Sequence, residues 1–249
     1  MPHAPFPTDG EATHLDPAPP VAIFDLDGTL VDSARDLLVT LNRVLEQDGL
    51  PQVPGSDIRP HIGHGARGMI ESALRHHGAT RSASDIDAMH RRFLEDYERT
   101  LTDHTIPFPG IVDLLDSLSK AGARLGVCTN KYERFSVAVL KQLGLLNRFD
   151  TVVGPDTLGV RKPDPAHITG TIARLGGEAG RAVMFGDSAP DVDAAKAAGV
   201  PVIVFRHGYP SAPADTLGAD LVVDDVADAL EPALGWLGLL PTISETEMA

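Results

Sequence analysis

Cysteine is almost absent from the 249-residue sequence, which contains Cys128 alone. A single cysteine forms no disulfide within the chain and no Cys-x-x-Cys metal or redox site, so we expect a cytoplasmic protein. No apolar run reaches the roughly eighteen residues of a membrane-spanning helix. The first residues also lack the cationic start and the apolar stretch of a signal peptide. The sequence therefore predicts no membrane insertion and no export.

Basic residues are scarce as well. The chain has 21 Lys and Arg against 35 Asp and Glu, which gives a formal net charge of -14. Nucleic-acid binding needs clustered Lys and Arg to displace counterions from phosphate groups, so we expect no nucleic-acid partner. A small anionic partner stays open, although the overall field of the chain repels it. Its site therefore needs a local cation or a metal ion.

The organisation of the chain changes at residue 21. Residues 1–20 contain six prolines, three acidic residues and no Lys or Arg, and we interpret them as a disordered tail. Beyond them, short apolar runs alternate with helical patterns. This alternation predicts an α/β fold, a doubly wound (Rossmann-like) parallel sheet with helices on both faces. The expected strands cover 21–26, 125–128, 183–185 and 202–205.

Residues 32–101 interrupt this alternation, because they show helical periodicity and no convincing strand. An insert of about seventy residues is too long for a loop, so we expect a separate helical cap domain with hinges near 31–33 and 100–106. The expected division is a tail over 1–20, a catalytic core over 21–31 and 102–243, a cap over 32–101 and a C-terminal tail over 244–249.

Polar residues follow the predicted strands. Asp25 and Asp27 close the first run, Thr129 and Asn130 follow the second, and Asp187 follows the run at 183–185, with Asp191 four residues later. Each has an ordinary explanation as a turn, a helix cap or a helix-terminal charge. Ligands of open α/β sheets bind beyond the carboxyl ends of the strands, however, and crowded carboxylates repel each other unless a cation lies among them. Oxygen ligands of this kind suit Mg²⁺.

These motifs resemble those of the haloacid dehalogenase superfamily of phosphohydrolases. The sequence has DxDGT at 25–29, a strand-end Thr129, Lys162 in a KPxP context and GDxxxD at 186–191, in that order. The resemblance extends from residue 21 to about residue 240. It includes a helical cap inserted just after the first motif.

The resemblance implies a mechanism. Asp25 is expected to attack phosphorus and form an aspartyl-phosphate, and Asp27 to protonate the leaving group and then to activate water. Thr129 and Lys162 are expected to bind the transferring phosphoryl oxygens, with Asn130 beside them. The implied Mg²⁺ ligands are the Asp25 carboxylate, the Asp27 backbone carbonyl and Asp187, with Asp191 behind them.

The same residues separate reaction classes within the superfamily. Dehalogenases lack the second aspartate, so Asp27 indicates phosphate ester chemistry. Phosphonatases use a cap lysine to form a Schiff base, and residues 32–101 contain no lysine. Lys131 has two open interpretations, since it either points into the cleft between cap and core or is solvated at a helix start.

The cap contains a second candidate segment. Gly63, Gly65 and Arg67 are similar to the Gly-x-Gly segment in the cap of phosphoglycolate phosphatases, where paired glycines admit a small ligand and an arginine adds charge-assisted bonds. Alternatively, the glycines only turn the chain before a helix that runs to about His76.

We expect a phosphatase of a small anionic phosphorylated metabolite, with hydrolysis of 2-phosphoglycolate to glycolate and phosphate as the leading reaction. The alternatives are another phosphomonoesterase or a pyrophosphatase with the same core, a β-phosphoglucomutase-like phosphotransferase, and a non-catalytic binding protein of the same fold. The last could dispense with Asp25, Asp27, Lys162 and Asp187, yet all four are present. Either a monomer or a homodimer is compatible with the sequence.

Overall fold

The computed structural model describes residues 17–240, which form a six-stranded parallel sheet with helices on both faces. The strands of this sheet, in chain order, are β1 (Val21–Phe24), β4 (Arg124–Cys128), β5 (Thr151–Val153), β6 (Ala182–Gly186), β7 (Val202–Phe205) and β8 (Leu221–Val223). Their spatial order is β5-β4-β1-β6-β7-β8, so β1 lies between β4 and β6. A separate antiparallel ribbon consists of β2 (Val31–Asp32) and β3 (Ile106–Pro107).

Residues 17–240 contain ten α-helices, which either flank the sheet or lie in the chain between β2 and β3. Those between β2 and β3 are α1 (Ala34–Gln47), α2 (Gly55–Ile58), α3 (Gly65–His76) and α4 (Ala83–Tyr97). The helices that follow β3 are α5 (Ile111–Lys120), α6 (Glu133–Gln142), α7 (Pro155–Leu158), α8 (Pro165–Arg174), α9 (Ala189–Ala197) and α10 (Leu230–Trp236). A 3-10 turn over Arg59–His64 leads directly into α3. Helices α1 and α3 both pack on α4.

The core explains why the strands are apolar throughout. Successive residues of β1 enter opposite faces, with Phe24 in one hydrophobic cluster and Ile23 in the other, and both are fully buried. Phe24 stacks on Phe185 of β6 with the ring centroids 4.4 Å apart, and Phe205 of β7 continues the row. A parallel sheet that is covered on both faces needs apolar side chains at every position.

The sequence-based predictions describe the centre of the fold better than its margins. The predicted α/β doubly wound sheet is confirmed, and each of the four predicted strands is present with small shifts at its ends. The edge strands β5 and β8 and the ribbon β2–β3 have no counterpart in the prediction. They are only two or three residues long, and in so short a segment neither alternation nor a sustained apolar run stands out.

The domain division stays a prediction. Within 34–97 the described structure contains helices only, as expected for a cap, and the ribbon β2–β3 lies at the predicted hinges. The predicted N-terminal tail falls outside the described residues except for 17–20, which form no helix or strand. The predicted C-terminal tail over 244–249, and the end of the predicted core at 243, also lie outside the described residues.

Candidate active site

Three polar strand ends meet at one edge of the sheet. Asp25 follows β1, Thr129 follows β4 and Asp187 follows β6, and these three strands are neighbours. All three side chains are buried. Because parallel strands end at the same edge, the topology alone brings a nucleophile candidate, a hydroxyl and a second carboxylate together.

Lys162 supplies the positive charge at this edge. Its Nζ lies 3.0 Å from Oδ1 of Asp25 and donates a hydrogen bond of 2.6 Å to Oδ1 of Asp191. The residue is only 2% exposed, so its charge is compensated by these two carboxylates and not by bulk water. Burial alone would lower the pKa of Lys162, but Asp191 and Asp25 outweigh this effect and raise it. The lysine is therefore a permanent cation.

Asp25, Asp187 and Asp191 form a cluster that fits a metal ion. One carboxylate oxygen from each lies within 4.8 Å of the others, and all three residues are buried. Burial raises the pKa of Asp25 to about 6, with Lys162 opposing and Asp191 adding to the effect. Burial and the charges of Asp191 and Asp25 also raise the pKa of Asp187. Carboxylates so crowded favour a divalent cation with oxygen ligands among them.

Asp191 holds the loop around this cluster. Its Oδ2 accepts hydrogen bonds from the backbone N–H of Asp187 at 3.2 Å, from the backbone N–H of Ser188 at 3.0 Å and from the Ser188 hydroxyl at 2.7 Å. Its Oδ1 accepts from Lys162. Both oxygens are thus engaged within the protein, and the predicted place of Asp191 behind the metal ligands stays a prediction.

Two glycines confine Asp187. A Cβ at Gly28, whose φ is +90°, would lie 2.4 Å from Oδ2 of Asp187, and a Cβ at Gly208 would lie 2.2 Å from its Cβ. The backbone N–H of Tyr209 donates a 2.6 Å hydrogen bond to Oδ2 of Asp187, and Thr29 donates from its hydroxyl to Oδ1. Gly28 is therefore needed in the first motif both for the turn and for the space that Asp187 occupies.

Asp27 has two partners that the sequence did not identify. Ser33 donates a hydrogen bond of 2.5 Å from its hydroxyl to Oδ1 of Asp27. The Nζ of Lys131 lies 2.8 Å from Oδ1 and 2.6 Å from Oδ2 of the same carboxylate. Of the two interpretations of Lys131, the structure supports the one that places it in the cleft, because its side chain is only 6% exposed. The only sequence signal was its place directly after Thr129 and Asn130.

Tyr97 of α4 completes the surroundings of Lys131. The Lys131 Nζ lies over the Tyr97 ring, 4.8 Å from the ring centroid. The hydroxyl of Tyr97 is buried and has no hydrogen-bond partner among residues 17–240. In the sequence, Tyr97 is recognisable only as part of the apolar face of a predicted helix. Nothing in the neighbouring residues indicates that it lies close to the catalytic candidates.

The predicted phosphate-binding residues differ in their contacts. The Thr129 hydroxyl accepts a hydrogen bond of 3.2 Å from the backbone N–H of Lys131. Asn130 instead braces the surrounding loops, because its Nδ2 donates to the carbonyls of Gly63 and Lys162 and its Oδ1 accepts from the Lys162 backbone N–H. A direct role for Asn130 in substrate binding stays a prediction.

The predicted cap residues lie where the cap meets the core. A Cβ at Gly63 would lie 2.8 Å from Oγ of Ser188, and one at Gly65 would lie 3.4 Å from the carbonyl oxygen of Asn130. These glycines therefore allow close approach of the two parts of the chain. Their role towards substrate stays a prediction.

Arg67 is engaged within the cap. Its Nε donates a hydrogen bond of 3.0 Å to Glu71, and its Nη1 donates to Asp87. The guanidinium of Arg67 is therefore already paired with two carboxylates of the cap. Its predicted charge-assisted bond to a substrate stays a prediction.

A pocket of about 230 Å³ lies between the strand-end residues and the predicted cap. Asp25, Asp27 and Thr129 line one side, and the cap and α6 supply the other. The apolar lining includes Leu37, Ile62, Met69, Phe93, Leu94 and Phe135.

No helix in the described part of the chain is both long enough and apolar enough to cross a membrane.

Comparison with known proteins agrees with this geometry. Residues 22–205 match the family model described as haloacid dehalogenase-like hydrolase. A phosphoglycolate phosphatase from Caulobacter vibrioides is 42% identical over 218 residues, which cover 88% of this chain and 92% of that protein. One from Agrobacterium fabrum is 44% identical over 218 residues, with coverage of 88% and 93%. A solved structure from Haemophilus somnus, described as a predicted phosphoglycolate phosphatase, has a TM-score of 0.79 at 28% identity and covers 85% of this chain and 96% of its own.

Proposed function

Because the chain belongs to the haloacid dehalogenase-like hydrolase family, we propose that it hydrolyses 2-phosphoglycolate to glycolate and phosphate through an aspartyl-phosphate on Asp25. Its class, a phosphoric monoester hydrolase, follows from relatives more than 40% identical over most of both chains. The observation that carries the proposal is the position of Asp25, which belongs to the buried carboxylate cluster and also lines the pocket.

Asp25 acts as the nucleophile in this proposal. One of its carboxylate oxygens forms a bond to phosphorus while the bond from phosphorus to the ester oxygen breaks, and the leaving alkoxide takes a proton from Asp27. In the second step, Asp27 accepts a proton from a water molecule whose oxygen bonds to the same phosphorus. The bond between phosphorus and Asp25 then breaks, and inorganic phosphate leaves.

Thr129 and Lys162 stabilise the phosphoryl group during both steps. The Lys162 ammonium already lies 3.0 Å from Asp25, so it is close to any phosphorus bonded to that carboxylate. Thr129 ends the neighbouring strand and lines the same pocket. Donors held in place by a folded framework stabilise transition-state charge without reorganising during the reaction.

Asp25 and Asp187, together with the backbone carbonyl of Asp27, would hold Mg²⁺, and Asp191 would orient the loop behind them. The donor set fits, since it consists of crowded buried oxygens, and burial together with the neighbouring carboxylates raises the pKa of Asp25 and of Asp187. When bound, the metal neutralises charge between the anionic nucleophile and the anionic phosphate. Chemically, a hard cation with oxygen ligands is the best match to this set.

We also propose that residues 32–101 act as a cap over a core of 21–31 and 102–243. Residues from both parts line the pocket, and Gly63 of the cap lies against Ser188 of the core. A closed pocket excludes water from the aspartyl-phosphate until the leaving group has departed. Opening at the ribbon of β2 and β3 would admit substrate.

Phosphate release tests this function. The purified chain with Mg²⁺ is compared on 2-phosphoglycolate, a panel of sugar phosphates, pyrophosphate and p-nitrophenyl phosphate, with kcat/KM as the readout. We expect 2-phosphoglycolate to be preferred by about 10³-fold or more, the range reached when a site pairs a specific polar group of its substrate. Similar low kcat/KM values for all compounds would support phosphatase activity but reject 2-phosphoglycolate as the substrate. Isomerisation of a sugar phosphate without phosphate release would indicate a mutase.

A further inference from the structure

Some polar groups of the pocket are already engaged within the protein, and others could bind the part of a substrate that is not transferred. Among its described lining residues, Asn130 uses both its amide nitrogen and its amide oxygen on loop backbone. Arg67 donates two of its five N–H bonds, to Glu71 and Asp87. His90, Tyr132 and Arg161 also line the pocket and make no side-chain hydrogen bond in the described structure, and the rest of the wall formed by the cap and α6 is mainly apolar.

Lys131 and Tyr97 combine a donor that has no oxygen partner with a side chain that is almost completely removed from solvent, whereas the Arg67 side chain is 38% exposed and Arg161 is exposed. The ammonium of Lys131 has three N–H bonds, and its hydrogen bonds in the described structure go only to the two oxygens of Asp27. The Tyr97 hydroxyl makes no hydrogen bond within 17–240, although the residue is 2% exposed. Burial also raises the pKa of Tyr97 to about 12, so its hydroxyl keeps its proton.

A buried hydroxyl without a partner is unfavourable, so each one in a folded protein needs an explanation. Here the two unused donors are neighbours, since the Lys131 Nζ lies 4.8 Å from the centroid of the Tyr97 ring. Both residues line the same pocket as Asp25. The pair therefore provides an ammonium and a phenol beside the site of phosphoryl transfer.

We propose that Lys131 and Tyr97 bind the carboxylate of the substrate and thereby select phosphate esters whose alcohol carries a carboxylate group. This inference rests on the proposed function and assigns its substrate selectivity to two residues outside the family's catalytic motifs. One carboxylate oxygen accepts from the ammonium and the other from the phenol, so both unused donors gain a charged acceptor.

The apolar wall strengthens this selectivity. Phe93, Leu94 and Phe135 offer no hydrogen-bond partner to the hydroxyl groups of a sugar phosphate. A sugar hydroxyl that lies against these three side chains would lose water without replacing it, which is unfavourable. 2-Phosphoglycolate has no hydroxyl to desolvate, and besides its phosphate it has one anionic group, the carboxylate, to place.

The experiment compares 2-phosphoglycolate with 2-hydroxyethyl phosphate, which has a neutral hydroxymethyl group in place of the carboxylate. The ratio of their kcat/KM values is measured for the wild type, Lys131→Met, Lys131→Arg and Tyr97→Phe. Lys141→Met is the matched control, because Lys141 is exposed on α6 and forms no ion pair in the described structure. Arg67→Gln is included as the competing carboxylate ligand from the cap.

We expect Lys131→Met to lower the ratio by roughly 10- to 100-fold, the loss typical of a charge-assisted hydrogen bond. Lys131→Arg restores most of the ratio, and Tyr97→Phe lowers it several-fold. Lys131 also contacts Asp27, so its loss slows both substrates, but that common effect cancels in the ratio. A ratio that survives in Lys131→Met, or falls only in Arg67→Gln, would overturn the proposal.

Equilibrium binding keeps this inference separate from the proposed function. Calorimetry with Mg²⁺ in an Asp25→Asn background measures affinity for both compounds without turnover, again with and without Lys131→Met. If the wild type releases no phosphate from any compound, the proposed function fails, while the affinity ratio still tests carboxylate recognition. If the wild type prefers 2-phosphoglycolate but Lys131→Met binds both compounds in the same ratio, the proposed function stands and this inference fails.

Discussion

At the scale of single residues, the site depends on charges that are removed from water. Lys162 is 2% exposed and lies between Asp25 and Asp191, which are themselves buried. Such an arrangement is stable only while each charge keeps its partner, since an unpaired buried charge is far more costly than a paired one. The same requirement gives Lys162 a structural role besides its proposed catalytic one.

We therefore predict that Lys162→Met destabilises the metal-free protein by about 3–5 kcal/mol, because Asp25 and Asp191 remain without a counter-charge. Urea unfolding in EDTA measures this loss, and Mg²⁺ should recover part of it by replacing the missing positive charge. Lys141→Met serves as the control and should change the free energy of unfolding by less than about 0.5 kcal/mol. Equal effects of the two substitutions would contradict the paired-charge account.

The sequence was enough to place the strand-end residues at one edge of the sheet, but it was not enough to predict their contacts. Asp25, Thr129 and Asp187 could be assigned to one sheet edge because parallel strands end together. Lys131 could not be assigned, since a lysine after a strand end is equally compatible with solvent. Its position depends on Tyr97, more than thirty residues earlier in the chain, and on the packing of α4 over the core.

At the scale of secondary-structure elements, the start of α1 is joined to the segment before β3 through Asp36. This buried carboxylate accepts hydrogen bonds from the backbone N–H of His104, from the backbone N–H of Thr105 and from the Thr105 hydroxyl, and it also contacts His104 Nδ1 at 2.7 Å. Burial alone would raise the pKa of Asp36, but these hydrogen bonds outweigh it and lower the pKa. Asp36 thus links the two chain segments that connect cap and core.

A lowered pKa in the folded state gives Asp36 a defined effect on stability. Its contribution is complete above the ordinary pKa of 3.8 and is lost as the pH falls through the lower folded value. We predict that Asp36→Asn costs about 1–3 kcal/mol near neutral pH and that the difference from wild type shrinks below about pH 4. Urea unfolding of both proteins between pH 3 and pH 7 tests this, and a difference that grows on acidification would refute it.

Tyr209 connects the metal-binding candidate Asp187 to the first hinge. Its backbone N–H donates to Asp187, while its hydroxyl donates to Asp32 and accepts from the backbone N–H of Ala34. Arg59, in the 3-10 turn before α3, lies over its ring, 5.1 Å from the centroid. The side chain therefore belongs to the hinge, whereas the backbone belongs to the carboxylate site.

This separation predicts two different outcomes for one substitution. Tyr209→Phe should lower the free energy of unfolding by about 1–2 kcal/mol, because Asp32 and Ala34 each lose one hydrogen bond, and should leave Mg²⁺ affinity unchanged. Unfolding and calorimetric titration measure the two quantities. Tyr132→Phe is the control for stability, since the Tyr132 hydroxyl makes no hydrogen bond in the described structure. Loss of Mg²⁺ affinity in Tyr209→Phe would show that the ring, too, belongs to the metal site.

The elements that sequence analysis missed share a physical cause. Strands β5 and β8 have three residues each and lie at the two edges of the sheet, and the ribbon strands have two each. Their conformation depends on pairing with longer strands and not on a pattern of their own. The long helices α1, α3 and α4 were predictable because amphipathic periodicity extends over several turns.

At the scale of the whole molecule, the pocket forms only because distant segments converge. Its lining comes from residue 25 at one end of the range and residue 161 at the other, and it includes both predicted domains. The sequence predicted an α/β core and a helical segment above it, since each has its own pattern. It could not predict how closely Gly63 approaches Ser188, because that distance depends on packing across the whole chain.

The overall charge of -14 makes the local cations decisive for an anionic substrate. Lys162 contacts Asp25 and Lys131 contacts Asp27, so each aspartate of the first motif has a buried lysine beside it. Two local cations suit the substrate proposed above, a small ester that carries a phosphate and a carboxylate.

The central claim is that Asp25 is the nucleophile of a phosphatase. The most direct test measures phosphate release from 2-phosphoglycolate with Mg²⁺ by the wild type and by Asp25→Asn, together with the circular dichroism spectrum and the Tm of both. We predict turnover by the wild type and a decrease of at least about 10³-fold in Asp25→Asn, with the fold retained. Substantial hydrolysis by a well-folded Asp25→Asn protein would contradict the assignment of Asp25 and the covalent route that depends on it.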